Sequence, residues 1–235
     1  METTKPLRID IWSDIVCPWC WIGKHRLRKA LEMPGAPEVE IHWHPYLLDP
    51  EADATPVPLR EAYARKFGGA ERTEQILADT QAAARADGLP MDFERGQVRV
   101  STLDAHRVLG LASAHGVAEA VSEALFRAHF EHGRNLADRT VLVEAAVAGG
   151  LPADRVDALL DSDEGKAAVQ ASLRQAQAIG VRGVPFFVMD GRLAVSGAQA
   201  PELFAQAFAQ LGRMAATEGS ADEAAAACTT DGCTP

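Results

Sequence analysis

The feature that most restricts the fold is where strand chemistry occurs and where it stops. Leu7 to Ser13 alternates apolar and polar residues with β-branched and aromatic side chains, and Val39 to Leu48 reads as a second strand. Such patterns then vanish from about 49 to 161 and return at Val184 to Ser196. Between the first two strands, Ile22, Leu27, Ala30 and Leu31 give Trp21–Leu31 a helical apolar face, which Pro34, Gly35 and Pro37 end. A strand, a helix and a strand in succession require a parallel pair. Asp190-Gly191 inside the last strand segment suits a type I′ turn, and so an antiparallel hairpin.

The long middle is helical in pattern. Helices are predicted at Leu59–Phe67, Glu71–Asp87, Thr102–Ala114, Val117–Glu131, Arg139–Ala148 and Pro152–Leu160, then at Glu164–Ile179. Gly88, Gly116, Gly133 and Gly149 follow four of them, where a left-handed residue is wanted; Gly180 closes the last, and Ser101-Thr-Leu-Asp resembles a capping box. Pro201 to Met214 is a final amphipathic helix carrying Leu203, Phe204, Ala207, Phe208 and Leu211 on one face. Ala215 to Pro235 lacks large apolar residues and is expected to be mobile or only locally helical.

This order is that of an α/β chain with a thioredoxin-like fold, carrying a large all-helical insertion between the second strand and the hairpin. The expected division is a thioredoxin-like domain at 1–48 and 162–214, a helical insertion domain at 49–161, and a tail at 215–235. With 47% apolar and 24% charged residues among 235, the chain can pack a core and is not a disordered one. A formal charge of −10 argues against nucleic acid as a partner, since gripping phosphates needs clustered basic charge. No apolar run reaches the roughly 18 residues a membrane span needs, and the N-terminus shows no apolar signal core, so a cytoplasmic, membrane-free protein is expected.

Four cysteines form two close pairs, Cys17 with Cys20 and Cys228 with Cys233. Disulfide-stapled scaffolds are small and cysteine-dense, which this chain is not, so the pairs read as redox-active or metal-binding. Cys17-Pro-Trp-Cys20 follows a strand and opens a helix, with Pro18 suited to the first helical turn. Unpaired amides and the dipole at a helix start favour a thiolate there, so Cys17 is the expected nucleophile, and a thiol near pKa 8.5 can fall to roughly 3.5–7.5 in such a place. Cys20 comes one turn later on the same face, buried behind Cys17 and placed to resolve a mixed disulfide. A zinc site would need both pairs on one ion, yet one pair starts a core helix and the other sits in the tail, so no metal and no cofactor is expected. In thioredoxin-like folds a cis proline lies beside the dithiol before the third strand, which implies that Val184-Pro185 is cis.

Ile11-Trp-Ser-Asp-Ile-Val-Cys-Pro-Trp-Cys-Trp-Ile-Gly, Gly133-Arg-Asn-Leu-Ala-Asp-Arg, Gly183-Val-Pro-Phe-Phe-Val and Val195-Ser-Gly-Ala-Gln resemble the DsbA family of thiol–disulfide oxidoreductases, and within it the cytoplasmic FrnE-like branch, over roughly residues 6–214. The resemblance implies that Cys17 attacks, that Cys20 is its buried partner and that Val184-Pro185 is the cis-proline loop. It implies protein substrates bearing disulfides or thiols, with glutathione or the thioredoxin system as electron partner. Periplasmic DsbA proteins place a His between the cysteines, where this chain has Pro18 and Trp19. A less acidic Cys17 and a potential well below the roughly −120 mV of DsbA are therefore expected. Kappa glutathione transferases and 2-hydroxychromene-2-carboxylate isomerases, which share the superfamily, typically carry serine where Cys17 stands; a redox-sensing chaperone or binding module is the other alternative.

Cys228-Thr-Thr-Asp-Gly-Cys233 suits a turn, so a local disulfide is easy there. If residues 217–227 form a coil they span about 18 Å on average, enough for the tail pair to visit the main dithiol and relay electrons. Trp19 is expected to be an exposed contact for apolar substrate segments, and Trp12 and Trp43 to be core. His42 and His44 share a strand face without a third metal ligand, and His129 and His132 read as a solvated helix end.

Overall fold

The computed structural model describes residues 6–228, and of 216 and 218–228 the backbone alone. Its framework is a four-stranded sheet in the order β2-β1-β5-β6. β1 (Leu7–Ser13) runs parallel to β2 (Val39–Pro45), Leu7 opposite Val39 and Ser13 opposite Pro45, with α1 (Pro18–Leu31) as the crossover. β5 (Phe186–Met189) lies antiparallel to β1, Trp12 opposite Phe186, and pairs with β6 (Leu193–Ser196). The turn between them has Asp190 at φ 50° and Gly191 at φ 68°, the two left-handed residues a type I′ turn requires.

The pleat sorts the side chains onto two faces. Ile9, Ile11, Phe187, Met189 and Val195 face one side, where Leu27 and Ala30 of α1 and Phe204, Phe208 and Leu211 of α9 (Pro201–Cys228) close over them. Trp12 faces the other side, with Ala176 of α8 (Lys166–Ala178) and Val181. Helices therefore cover both faces, with α9 packed against α1 and β6.

Between β2 and α8 come α2 (Leu59–Phe67), α3 (Ala70–Ala86), α4 (Leu103–Ala114), α5 (Ala118–Phe130), α6 (Arg139–Ala148) and α7 (Ala153–Leu160). The insertion is not wholly helical. A short ladder joins β3 (Val57–Pro58) to β4 (Val98–Arg99), and a 3₁₀ turn covers Phe93–Arg95. Two-residue strands leave no period for a sequence pattern to show.

The insertion is fastened along α1. Trp21 is fully buried, its ring stacked near Phe126 and Phe130 of α5 at centroid distances of 6.1 and 6.0 Å, and its Nε1 donates to Glu123. Lys24, three residues on and itself buried, binds the same Glu123 at 2.7 Å and Glu119 at 3.0 Å. One turn later Arg26 and Lys29 hold Asp87, just past α3. One helix thus serves the sheet with one face and the insertion with the other.

Three local expectations need correction. Gly149 is right-handed at φ −84°, and its neighbour Gly150 takes the left-handed position at φ 104°; Gly149 is small because a Cβ there would lie 2.6 Å from the Val121 Cα. Thr102 caps α4 without a side-chain hydrogen bond, and the nearby bond runs instead from the Leu103 amide to Ser101 Oγ, so no capping box forms. The last helix does not end at Met214 but continues to Cys228, because Ala215–Ala227 is dense in alanine, the best helix former. Among the described residues no helix is long and apolar enough to cross a membrane.

Candidate active site

β1 ends at Ser13, the chain turns through Asp14–Val16, and Cys17 is the residue from which α1 starts. The turn is closed by the Cys17 amide bonding to the Asp14 carbonyl at 3.0 Å. Pro18 takes the first helical position, where its missing N–H removes no bond. Cys17 has extended backbone (φ −93°, ψ 111°), and its thiol does not cap the helix. It donates instead to the Val184 carbonyl, 3.6 Å away. The Val184-Pro185 bond is cis.

The approach of α1 to that loop depends on Gly23, whose backbone packs where a Cβ would lie 2.8 Å from Pro185 Cγ and 3.3 Å from Phe187 Cζ. Cys17 and Cys20 both carry free thiols, 4% and 1% exposed. The expected contrast between an open first cysteine and a hidden second one is thus slight, because Cys17 also belongs to the apolar cluster that α1 shares with the insertion. Burial pushes the Cys20 thiol well above its usual range and Cys17 adds to this, while the Ser13 hydroxyl and the Asp14 amide act in the opposite direction.

The remaining sequence-selected residues distribute as follows. Trp19, between the cysteines, is 39% exposed and projects to solvent, while Trp12 is buried and Trp43 half-buried. Cys228 is the last residue of α9, and Cys233 lies outside the described residues. His44 is bound to Asp10 at 2.6 Å and stacks on Trp12. His129 is not solvated: it lies fully buried against Phe130, and burial pushes its imidazole down to about 4. It falls on the inner face of α5 with Leu125 and Phe126, and the insertion packs that face closed.

Residues the sequence reading passed over complete the site. Asp14 and His106 are each 1% exposed and meet at 3.3 Å, Oδ1 to Nε2. The other Asp14 oxygen accepts the Leu48 amide at 2.8 Å. His106 Nε2 also lies 3.1 Å from the Tyr46 carbonyl, so this nitrogen faces two oxygens. Tyr63 of α2 packs on the cluster that contains Cys17, and burial, followed by the charges of Cys17 and Asp14, raises its phenol. Beside Val16 a cavity of about 580 Å³ opens between the turn and the insertion, lined by Leu48, Val57, Leu59, Tyr63 and Val98, with Lys66 and Arg99 among its polar residues. The signal for His106 was present in its setting, since Ala105, Val108, Leu109 and Ala112 surround it on the buried stripe of α4.

The chain resembles known proteins over most of its length. The family model for the DSBA-like thioredoxin domain matches residues 8–209. The structure is similar to that of a probable DsbA oxidoreductase of Streptomyces coelicolor, at 39% identity and a TM-score of 0.82, covering 87% of this chain and 89% of that one. It is similar in fold to a 2-hydroxychromene-2-carboxylate isomerase (18% identity, TM-score 0.67, 89% and 98% covered). The same holds for the cytosolic disulfide reductase DsbM of Pseudomonas aeruginosa, solved with glutathione (22% identity, TM-score 0.62, 88% and 99% covered). With a strand-borne turn that sets a dithiol at a helix start against the proline loop, and a family match over most of its length, this chain belongs to the DSBA-like thioredoxin domain family.

Proposed function

We propose that the protein is a thiol–disulfide oxidoreductase or isomerase acting on disulfides in other proteins, with Cys17 as the attacking and Cys20 as the resolving sulfur. The observation that carries this reading is the placement of the Cys17 sulfur at the start of α1, 3.6 Å from the Val184 carbonyl. In the reducing direction, the Cys17 thiolate attacks one sulfur of the substrate disulfide; that bond breaks, and the other substrate sulfur leaves as a thiolate and takes up a proton. Deprotonated Cys20 then attacks the Cys17 sulfur, the mixed disulfide breaks, and the second substrate thiolate departs. Two electrons pass from the dithiol to the substrate, and the reverse sequence oxidises. The positive end of the α1 dipole would favour a negative sulfur there. Backbone at exposed Gly183 and half-buried Val184 would pair with an extended substrate segment, and Trp19 would cover its apolar side chains.

The similarity to a probable DsbA oxidoreductase supports this class, and the likeness in fold to a cytosolic disulfide reductase is compatible with a cytoplasmic setting; glutathione or the thioredoxin system would be the electron partner. Without a His between the cysteines, the potential would lie nearer the isomerase or thioredoxin range than that of DsbA. Cys228 and Cys233 would relay electrons to or from the main dithiol. As a continuous helix of 28 residues, α9 sets Cys228 about 40 Å from Pro201. A relay within one molecule therefore requires the end of that helix to unwind.

A second reading, a glutathione-dependent small-molecule isomerase or transferase, has in its favour the cavity beside Val16 and the shared fold of the chromene-carboxylate isomerase. The intact dithiol favours the first. Insulin reduction and refolding of scrambled ribonuclease by the wild type, both lost in Cys17→Ser, are the expected results. Retention of either in that variant overturns the assignment and points to a binding module.

A further inference from the structure

Resting on that reading, the resolving step poses a problem that the site must solve. Cys20 attacks as a thiolate, yet its sulfur is almost completely enclosed and burial opposes its charge. A charge formed there needs donors already in place, because water does not reach it.

Ser13 is the last residue of β1 and, by the pleat, points to the same side as Ile9 and Ile11, which pack against α1. Its hydroxyl is enclosed at 2% exposure and has no hydrogen-bond partner among the described residues. A buried hydroxyl left unpaired costs free energy, so such a group inside a site calls for a use. The polar groups acting on Cys20 are Cys17, the Ser13 hydroxyl and the Asp14 amide. In the resting dithiol Cys20 is neutral and offers only a weak acceptor, which accounts for the hydroxyl having no partner. Once Cys20 is ionised the same hydroxyl has a strong one.

We propose that Ser13 is a positioning residue for the second half of the reaction, its hydroxyl turning to donate to the Cys20 thiolate together with the Asp14 amide. The proton lost from Cys20 balances the one taken up by the departing substrate thiolate, and the electron pair left on the Cys20 sulfur forms the bond to the Cys17 sulfur while the substrate sulfur departs with the pair of the broken bond. Ser13 gains nothing and loses nothing; it lowers the cost of the charge only while the charge exists. It therefore acts on resolution and not on the first attack, which belongs to Cys17. The titratable groups around this pocket are Cys17, Asp14, His106, Tyr63 and His129, and all are retained in the variants below.

The test uses the full-length chain and a peptide disulfide carrying a fluorophore, followed by stopped-flow and acid quench so that formation and decay of the Cys17 mixed disulfide are timed separately. Ser13→Ala is expected to form the mixed disulfide at the wild-type rate and to resolve it roughly tenfold or more slowly, since a hydrogen bond to a charged group is lost. The pH at which resolution is half-maximal should rise with it. Ser13→Thr, which keeps the hydroxyl, should restore both rate and pH profile. Resolution of Ser13→Ala at the wild-type rate and pH midpoint overturns the assignment of Ser13 alone. Equal slowing of both steps, or a failure of Ser13→Thr to recover while its melting temperature matches wild type, does the same by showing a structural effect. A wild type that forms no mixed disulfide overturns the activity on which the proposal rests.

Discussion

Replacing Gly23 with alanine tests the geometry that brings α1 to the proline loop. Two effects oppose each other. An alanine inside a helix is favoured over glycine by about 1 kcal/mol. Against this, the added Cβ falls 2.8 Å from Pro185 Cγ, 3.3 Å from Phe187 Cζ and 3.5 Å from the Ala198 Cα. Carbon atoms rest about 3.5–4.0 Å apart, so the first of these contacts must open by about 0.7 Å or more. None of the three neighbours yields easily: the first belongs to a closed ring, the second to a fully buried Phe187, and the third to backbone. Overpacking of this kind costs about 1–3 kcal/mol, which outweighs the helical gain and leaves a net loss of about 1 kcal/mol. Activity should suffer more than stability. A shift of Pro185 carries the Val184 carbonyl away from Cys17, and displacements near 1 Å can reduce a rate by about 100-fold. Urea unfolding together with insulin reduction gives both numbers. A Gly23→Ala variant that is about 1 kcal/mol more stable and fully active would refute the reasoning, because it would show helix propensity acting unopposed.

Further outcomes follow from other parts of the structure. Burial holds the folded-state value of His129 at about 4, against 6.5 for an ordinary imidazole, so the unfolded chain binds more protons between these values; the stabilisation is complete above pH 6.5 and about 3 kcal/mol of it is lost as pH falls to about 4. In His129→Leu this loss should disappear from urea midpoints measured at pH 7 and pH 4.5, and an unchanged slope would contradict the burial argument. Trp21→Ala removes an enclosed indole stacked near Phe126 and Phe130 and should cost about 3–5 kcal/mol in the same assay; under 1 kcal/mol would refute the fastening of the insertion through α1. Gly133→Ala combines φ 66° with a Cβ that would fall 2.1 Å from the Arg95 carbonyl oxygen, so it should lose at least about 2 kcal/mol, whereas wild-type stability would contradict the contact. Deleting residues 217–235 should lower turnover with a protein substrate if the second cysteine pair relays electrons, and unchanged turnover would dispose of the relay.

What the sequence reveals and what it hides divide along physical lines. The helices of the insertion end at Gly68, Gly88 and Gly116 because a left-handed residue is needed there, and that requirement is written in single letters. Asp190-Gly191 announces its turn in the same way. The β3–β4 ladder is different: Val57-Pro58 against Val98-Arg99 is a pairing of two residues with two, below the length at which alternation can be seen. The contact of Cys17 with Val184 spans 167 positions and was legible only through the resemblance to a family with a known loop. The meeting of Asp14 with His106, 92 positions apart, had no such guide, since a polar residue on a buried helical stripe shows that it has a partner and not which one. His129 and His132, three residues apart at the end of α5, read together as a solvated helix end, yet only His132 is exposed and His129 falls on the buried face. The overrun of α9 was missed because an alanine-rich stretch without large apolar residues shows no face to bury, although it needs none to be helical.

In the proposed function the sulfur of Cys17 is the atom that first meets a substrate. Its most direct test is to expose the Cys20→Ser variant to a disulfide-bonded protein substrate, quench with acid and map the linked peptides by mass spectrometry. One accumulating mixed disulfide is expected, joined through Cys17 and absent from the Cys17→Ser variant. A substrate linked elsewhere on the chain, or no covalent species alongside undiminished disulfide exchange, would contradict it.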